Sequence, residues 1–185
     1  MKEIKDINQY FIRQFAEFEE SLNGEKTSEF HQLRKNAINN FEKLNFPTLK
    51  DEEWKYTDIT SLLNHSFFSD YNKTKISPKV ISKFLFDKLE HSLLVFVNGS
   101  YSPELSKLTD IPKGVVVESI AEALKNNNPI VKKHLGSYAK NEDFFFTTLS
   151  SAFIKDGAFV YVPDGKVVEE AIHVVFYTKA DDKKI

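Results

Sequence analysis

The spacing of apolar residues changes along this chain, and the changes restrict its possible folds more than any other feature. Residues 7–22 place Ile7, Tyr10, Phe11, Phe15, Phe18 and Leu22 mostly three or four apart, the period of one helix face. Asp6 is the predicted N-cap, with Gln9 at the capping-box position. Asn23 and Gly24 end this helix. A second opens at Thr27 or Ser28, carries Phe30, Leu33, Ala37, Phe41 and Leu44 as its stripe, and stops at Pro47. The residue before a proline is driven out of the α region. The two segments read as an αα-hairpin.

Beyond Pro47 the pattern breaks up. Ile59, Leu62 and Leu63 predict a short helical turn, and residues 64–77 are polar. Ser77 and Pro78 form a helix opening, with a predicted helix to about Glu90 that buries Val80, Ile81, Phe84, Leu85 and Leu89. The period then shifts. Residues 93–97 (Leu-Leu-Val-Phe-Val) run into Asn98 and Gly99, the signature of a buried strand and turn, and residues 115–117 form a second such run. Ser119 and Glu122 make a capping box for a short helix ending near Asn126; Asn128 and Pro129 open another, stopped by Gly136. Asn141 is the expected cap of a last helix bearing Phe144, Phe145, Thr148, Leu149 and Ala152.

From Gly157 the chain becomes β-rich. Residues 158–162 are followed by a turn at Pro163, Asp164 and Gly165, and then by predicted strands at 167–168 and 172–177. Strands apolar on both faces with few partners would leave an aggregating edge. The expectation is therefore that this tail begins a larger β structure continuing past residue 185. The competing reading closes the sheet with residues 93–97 and 115–117.

A chain of 185 residues suits one sizeable domain, or one domain and part of another. It has no Cys, so no disulfide, thiolate nucleophile or thiolate metal ligand is available. A net charge of −2 argues against a broad nucleic-acid footprint. The N-terminus lacks the apolar run of a secretory signal, and no apolar run is long enough to span a bilayer. The expectation is a soluble cytoplasmic protein.

Most tempting sites fail on chemistry. The loop Gly24, Glu25, Lys26, Thr27 lacks the glycine directly before lysine that a phosphate loop needs, and it follows a helix. His31, His65, His91, His134 and His173 show no pair at ligand spacing, and His173 reads as a strand-surface residue. Asp51, Glu52 and Glu53 precede Trp54, the only tryptophan, with Tyr56 two residues on and Asp58 beyond. Adjacent exposed acids rarely supply the two different environments that acid–base catalysis needs. Trp54 and Tyr56 would share a face in an extended segment and read as packing anchors in preference to a stacking site. A fully buried Trp54 would make its loss cost about 3–5 kcal/mol. No catalytic, cofactor-binding or metal residue is assigned, and no cofactor is expected on this chain. Two other readings stay open: a small enzyme using the carboxylates near Trp54, and a module stacking nucleic-acid bases on Trp54 and Tyr56.

Three stretches carry a resemblance: Phe46-Pro-Thr48 with Glu53-Trp-Lys-Tyr-Thr57; Leu94-Val-Phe-Val-Asn-Gly-Ser-Tyr-Ser-Pro103; and Ala152-Phe-Ile-Lys-Asp-Gly-Ala-Phe-Val-Tyr-Val-Pro163 with Ile172 and His173. In this order they resemble the SufD family, scaffold subunits of the SUF iron–sulfur cluster assembly system. The likeness runs from about residue 40 onward; the Trp54 segment favours SufD over its sister SufB. Ala171 and Ser150 depart from the family's usual Pro and Asn. The resemblance implies an α+β chain: an N-terminal helical or mixed domain over residues 1–155, and over 156–185 the first strands of a right-handed parallel β-helix continuing past this chain. It implies a non-catalytic scaffold that works with a SufB-like paralogue and the SufC-like ABC ATPase. The cluster-site and ATPase-contact residues would lie beyond Ile185.

Overall fold

A computed structural model of the chain describes residues 4, 6–22, 28–65, 67, 75–86, 91–139 and 144–179. It is α+β, with helices and two small sheets, and divides into two compact units. One holds Met1–Asp70, His134–Ile154 and Ala180–Ile185; the other holds Tyr71–Lys133 and Lys155–Lys179. This division differs from the expected 1–155 and 156–185. A change of unit does fall at Lys155, but the strands after it join residues 71–133.

In the first unit, α1 (Ile7–Ser21) starts at Asp6, whose carboxylate accepts the Gln9 N–H as expected. The α2 helix (Glu29–Phe41) starts at Ser28, whose hydroxyl accepts the His31 N–H. They run antiparallel. Asn8, near the start of α1, donates to the carbonyls of Phe41 and Leu44 at 3.2 and 2.6 Å, while Glu19, near its end, meets His31 at 2.8 Å. Asn23 and Gly24 lie outside the described residues. The α2 helix ends six residues before Pro47, because Asn8 takes up carbonyls that another helical turn would have used. The two helices share the aromatic core of α6 (Phe145–Ala152). Phe41 and Phe145 lie 4.6 Å apart, and Phe153 packs against Phe15 and Phe18. Arg34 is fully buried; its Nε donates to the Ile154 carbonyl and its guanidinium lies over the rings of Phe18 and Phe30. The expected cap Asn141 lies outside the described residues, and Phe144 holds the N-cap position of α6.

The second unit is built on β1 (His91–Val97), buried from Ser92 to Val97. A turn at Asn98 and Gly99, both at positive φ, leads to β2 (Ser100–Tyr101), paired antiparallel with β1. On the other side β5 (Ala171–Tyr177) pairs with β1 in parallel over seven residues, from His91 opposite Ala171 to Val97 opposite Tyr177. The tail strands therefore do find partners. The β4 strand (Ala158–Tyr161) pairs antiparallel with β3 (Val116–Ser119), so the sheet-closing reading describes their pairing, and the argument from unpartnered strands fails. The signal missed was the apolar character of 93–97 on both faces, which marks a strand covered above and below and so one inside a sheet in place of an isolated segment. One face of β1 packs Leu93, Val95 and Val97 with Val175 and Ile81; the other packs Leu94 and Phe96 with Val115 and Val117.

Two expected elements are shorter than predicted. The α3 helix (Pro78–Ile81) passes into a 3-10 turn at Ser82–Phe84, and Leu85 is extended. The Ser82 hydroxyl donates back to the Lys79 carbonyl, a side-chain bond that competes with helix continuation, and Leu85 turns onto the β1 core. Residues 87–90 lie outside the described set. Residues 167–168 are not a strand: the Lys166 N–H closes a turn on the Pro163 carbonyl, Val167 is exposed and Val168 drops into the core. The short helices α4 (Ile120–Lys125) and α5 (Pro129–His134) stand where expected. Ser119 accepts the Glu122 N–H and Asn128 accepts that of Ile130.

Candidate interaction surface

The acids near Trp54 are all exposed. Asp51 accepts from the Thr48 N–H and hydroxyl at 2.7 and 3.0 Å, and so closes the turn that starts the segment. Glu52–Trp54 is a 3-10 turn; Asp51, Glu52 and Glu53 are exposed, with Glu52 3.7 Å from Lys55 Nζ. The turn corrects the expectation of an extended segment. Trp54 and Tyr56 do not share a face: Trp54 is half-buried with its ring 5.5 Å from Phe146, and Tyr56 is 90% exposed. Trp54 is an anchor and Tyr56 is not. Asp58 accepts from the Thr60 hydroxyl and N–H; these bonds, the hydroxyl's first, hold its carboxyl below the ordinary 3.8.

The histidines are placed variously. His31 is buried against Phe15 and paired with Glu19, and His134 bonds the Tyr138 hydroxyl. His91 and His173 come together, as spacing in the sequence did not show, with ring centroids 5.4 Å apart. Among the described residues, no three His, Cys, Asp or Glu side chains gather as metal ligands. The residues 24–27 lie outside the described set.

Beside Trp54's partner Phe146 lies an open cavity of about 370 Å³, lined by Phe11, Phe67, Phe146, Leu149 and Phe153 with Gln14 and Ser150. Tyr10, nearby on α1, donates to the Phe67 carbonyl, and burial pushes its phenol above the ordinary 10.0. The cavity holds no nucleophile–base pair. Its chemistry is apolar contact.

Among the described residues, the most exposed aromatic on a strand lies on β5. This strand is the edge of its sheet, in the order β2-β1-β5. Across the sheet, Tyr101, Phe96 and Phe176 form a ladder with centroid spacings of 5.6 and 4.9 Å, and the last rung, Phe176, is 64% exposed. Behind the sheet, Asp156 holds three chain segments. Its carboxylate accepts from Tyr101 N at 3.0 Å, Ala121 N at 3.0 Å and Gly157 N at 2.8 Å. A Cβ on Gly157 would lie 3.1 Å from Ile120 Cδ1. The pair Asp156 and Gly157 is thus structural, a role that sequence reading did not assign.

Known proteins resemble this chain over most of its length. The family model described as "SufBD protein N-terminal region" matches residues 5–174. An iron–sulfur cluster assembly SufBD family protein of Synechocystis is 27% identical over 164 residues, covering 89% of this chain and 36% of the relative. One from Arabidopsis thaliana is 27% identical over 150 residues, covering 71% and 32%. The iron–sulfur cluster assembly protein SufB of Bacillus subtilis is 27% identical over 136 residues, covering 69% and 29%. The chain spans about a third of the length of these relatives.

Proposed function

The chain belongs to the SufBD family, and from that premise we propose that it is the N-terminal part of a SufD-type scaffold subunit in iron–sulfur cluster assembly. The observation that carries the reading is the match over residues 5–174. The cluster is the product being assembled; no residue of this chain is assigned to it. The choice of SufD over SufB rests on the segment Glu53-Trp-Lys-Tyr-Thr57. The partners of the reading are a SufB-like paralogue and a SufC-like ABC ATPase in the cytoplasm, contacted mainly through regions beyond residue 185. The part played by this chain is non-catalytic. The support for that role is the family membership and the exposure of Asp51, Glu52 and Glu53.

The same reading has β5 leading into a right-handed parallel β-helix. Its support is the parallel pairing of β1 and β5 and the unpaired outer edge of β5 among the described residues. The test is affinity purification of the tagged full-length gene product from its own cells. Copurification of an ABC-type ATPase and a paralogous subunit is expected. Recovery of neither overturns the proposal.

A further inference from the structure

The geometry points to a two-histidine site for a divalent first-row metal ion of the zinc or copper type at His91 and His173, where the paired strands β1 and β5 begin. In the parallel register His91 lies opposite Ala171 and His173 opposite Leu93, so the two imidazoles sit diagonally across the strand pair, with centroids 5.4 Å apart and planes at 61°. Imidazole nitrogens bind zinc at about 2.0–2.1 Å; with about 1.1 Å from nitrogen to ring centre, two rings on one tetrahedral ion have centres about 5 Å apart. The observed spacing falls there without rearrangement of either strand.

A second observation is independent of the spacing. His173 Nδ1 is buried and has no hydrogen-bond partner, and a buried polar atom left unsatisfied is unfavourable. A metal ion would supply its missing partner. The Phe86 ring, 5.3 Å from that of His173, gives the site an apolar wall. Imidazole donors select zinc, copper, nickel or cobalt over magnesium and calcium. With two protein ligands, the remaining positions go to water or to a donor from another molecule.

The test titrates the full-length protein with Zn²⁺ by calorimetry, comparing wild type with His91→Phe, His173→Phe, the double variant carrying both and, as a control, His134→Phe. Phenylalanine keeps an aromatic ring at each position, including the contact of residue 173 with Phe86, and removes the donor. One site is expected in wild type and in the control. Either variant at 91 or 173 should weaken it by more than the roughly 10–100-fold that loss of an outer-shell partner costs. Equal binding by wild type and the double variant overturns the proposal, as does wild type without a site. Should a variant misfold, electron paramagnetic resonance of the Cu²⁺-loaded wild-type protein decides: coupling to two imidazole nitrogens supports the pair, and its absence overturns it.

Discussion

Trp54 and Tyr56, two residues apart in one short segment, have different environments, and the difference fixes what their loss should do. The half-buried Trp54 ring rests on Phe146, whereas the Tyr56 ring is in solvent. Trp54→Ala is expected to cost about 1–2 kcal/mol, below the roughly 3–5 kcal/mol of a fully buried tryptophan, and Tyr56→Ala less than about 0.5 kcal/mol. Urea unfolding of both variants checks the order, and equal losses would refute it. Sequence showed the pair of aromatics but not the 3-10 turn that ends at Trp54, because the residues before it are folded back by Asp51 bonding to Thr48. Asp58 yields a pH prediction. Its carboxyl is held below 3.8 by Thr60, so the stabilisation is present above that value and fades as pH falls through the lower folded-state value. Thr60→Ala removes the hydroxyl bond and should move Asp58 up toward 3.8 in a carboxyl NMR titration; an unmoved titration would mean that the hydroxyl bond contributes nothing.

Elements whose signals are local were legible. The caps at Asp6, Ser28 and Ser119 involve residues three apart, and each helix begins where its cap stands. Elements settled by distant contacts were not. The end of α2 is decided by Asn8, thirty-three residues before Phe41 in the chain, and the pairing of β5 by β1, some eighty residues upstream of it. Asp156 belongs to this second class. In sequence it is one acid before a glycine; in the fold it joins the end of β2, the start of α4 and the chain leading into β4. Its removal leaves three backbone N–H groups to find other acceptors. Asp156→Ala is therefore expected to destabilise by about 2–3 kcal/mol, while Asp156→Asn, which keeps one carbonyl oxygen, should lose less. Thermal unfolding that ranks Asn at or below Ala would show that the carboxylate is not the clamp.

At the scale of the molecule, the family reading and the pairing of the tail strands fit together once β5 is seen as an edge. A parallel edge strand with an exposed aromatic rung is a hazard for a protein left that way and a template for one that adds a strand. Of the β5 backbone N–H groups, those pointing to β1 are satisfied in either case; the alternate ones point outward, where water or a further strand takes them up. If the β-helix continues from β5, those outward amides should exchange slowly in the full-length protein and quickly in residues 1–185 alone. The amides facing β1 should be protected in both. Hydrogen exchange resolved to single residues separates the two sets. Equal, fast exchange of the outward set in both proteins would mean that β5 remains an edge in the full-length protein, and would overturn the continuation of the sheet from β5.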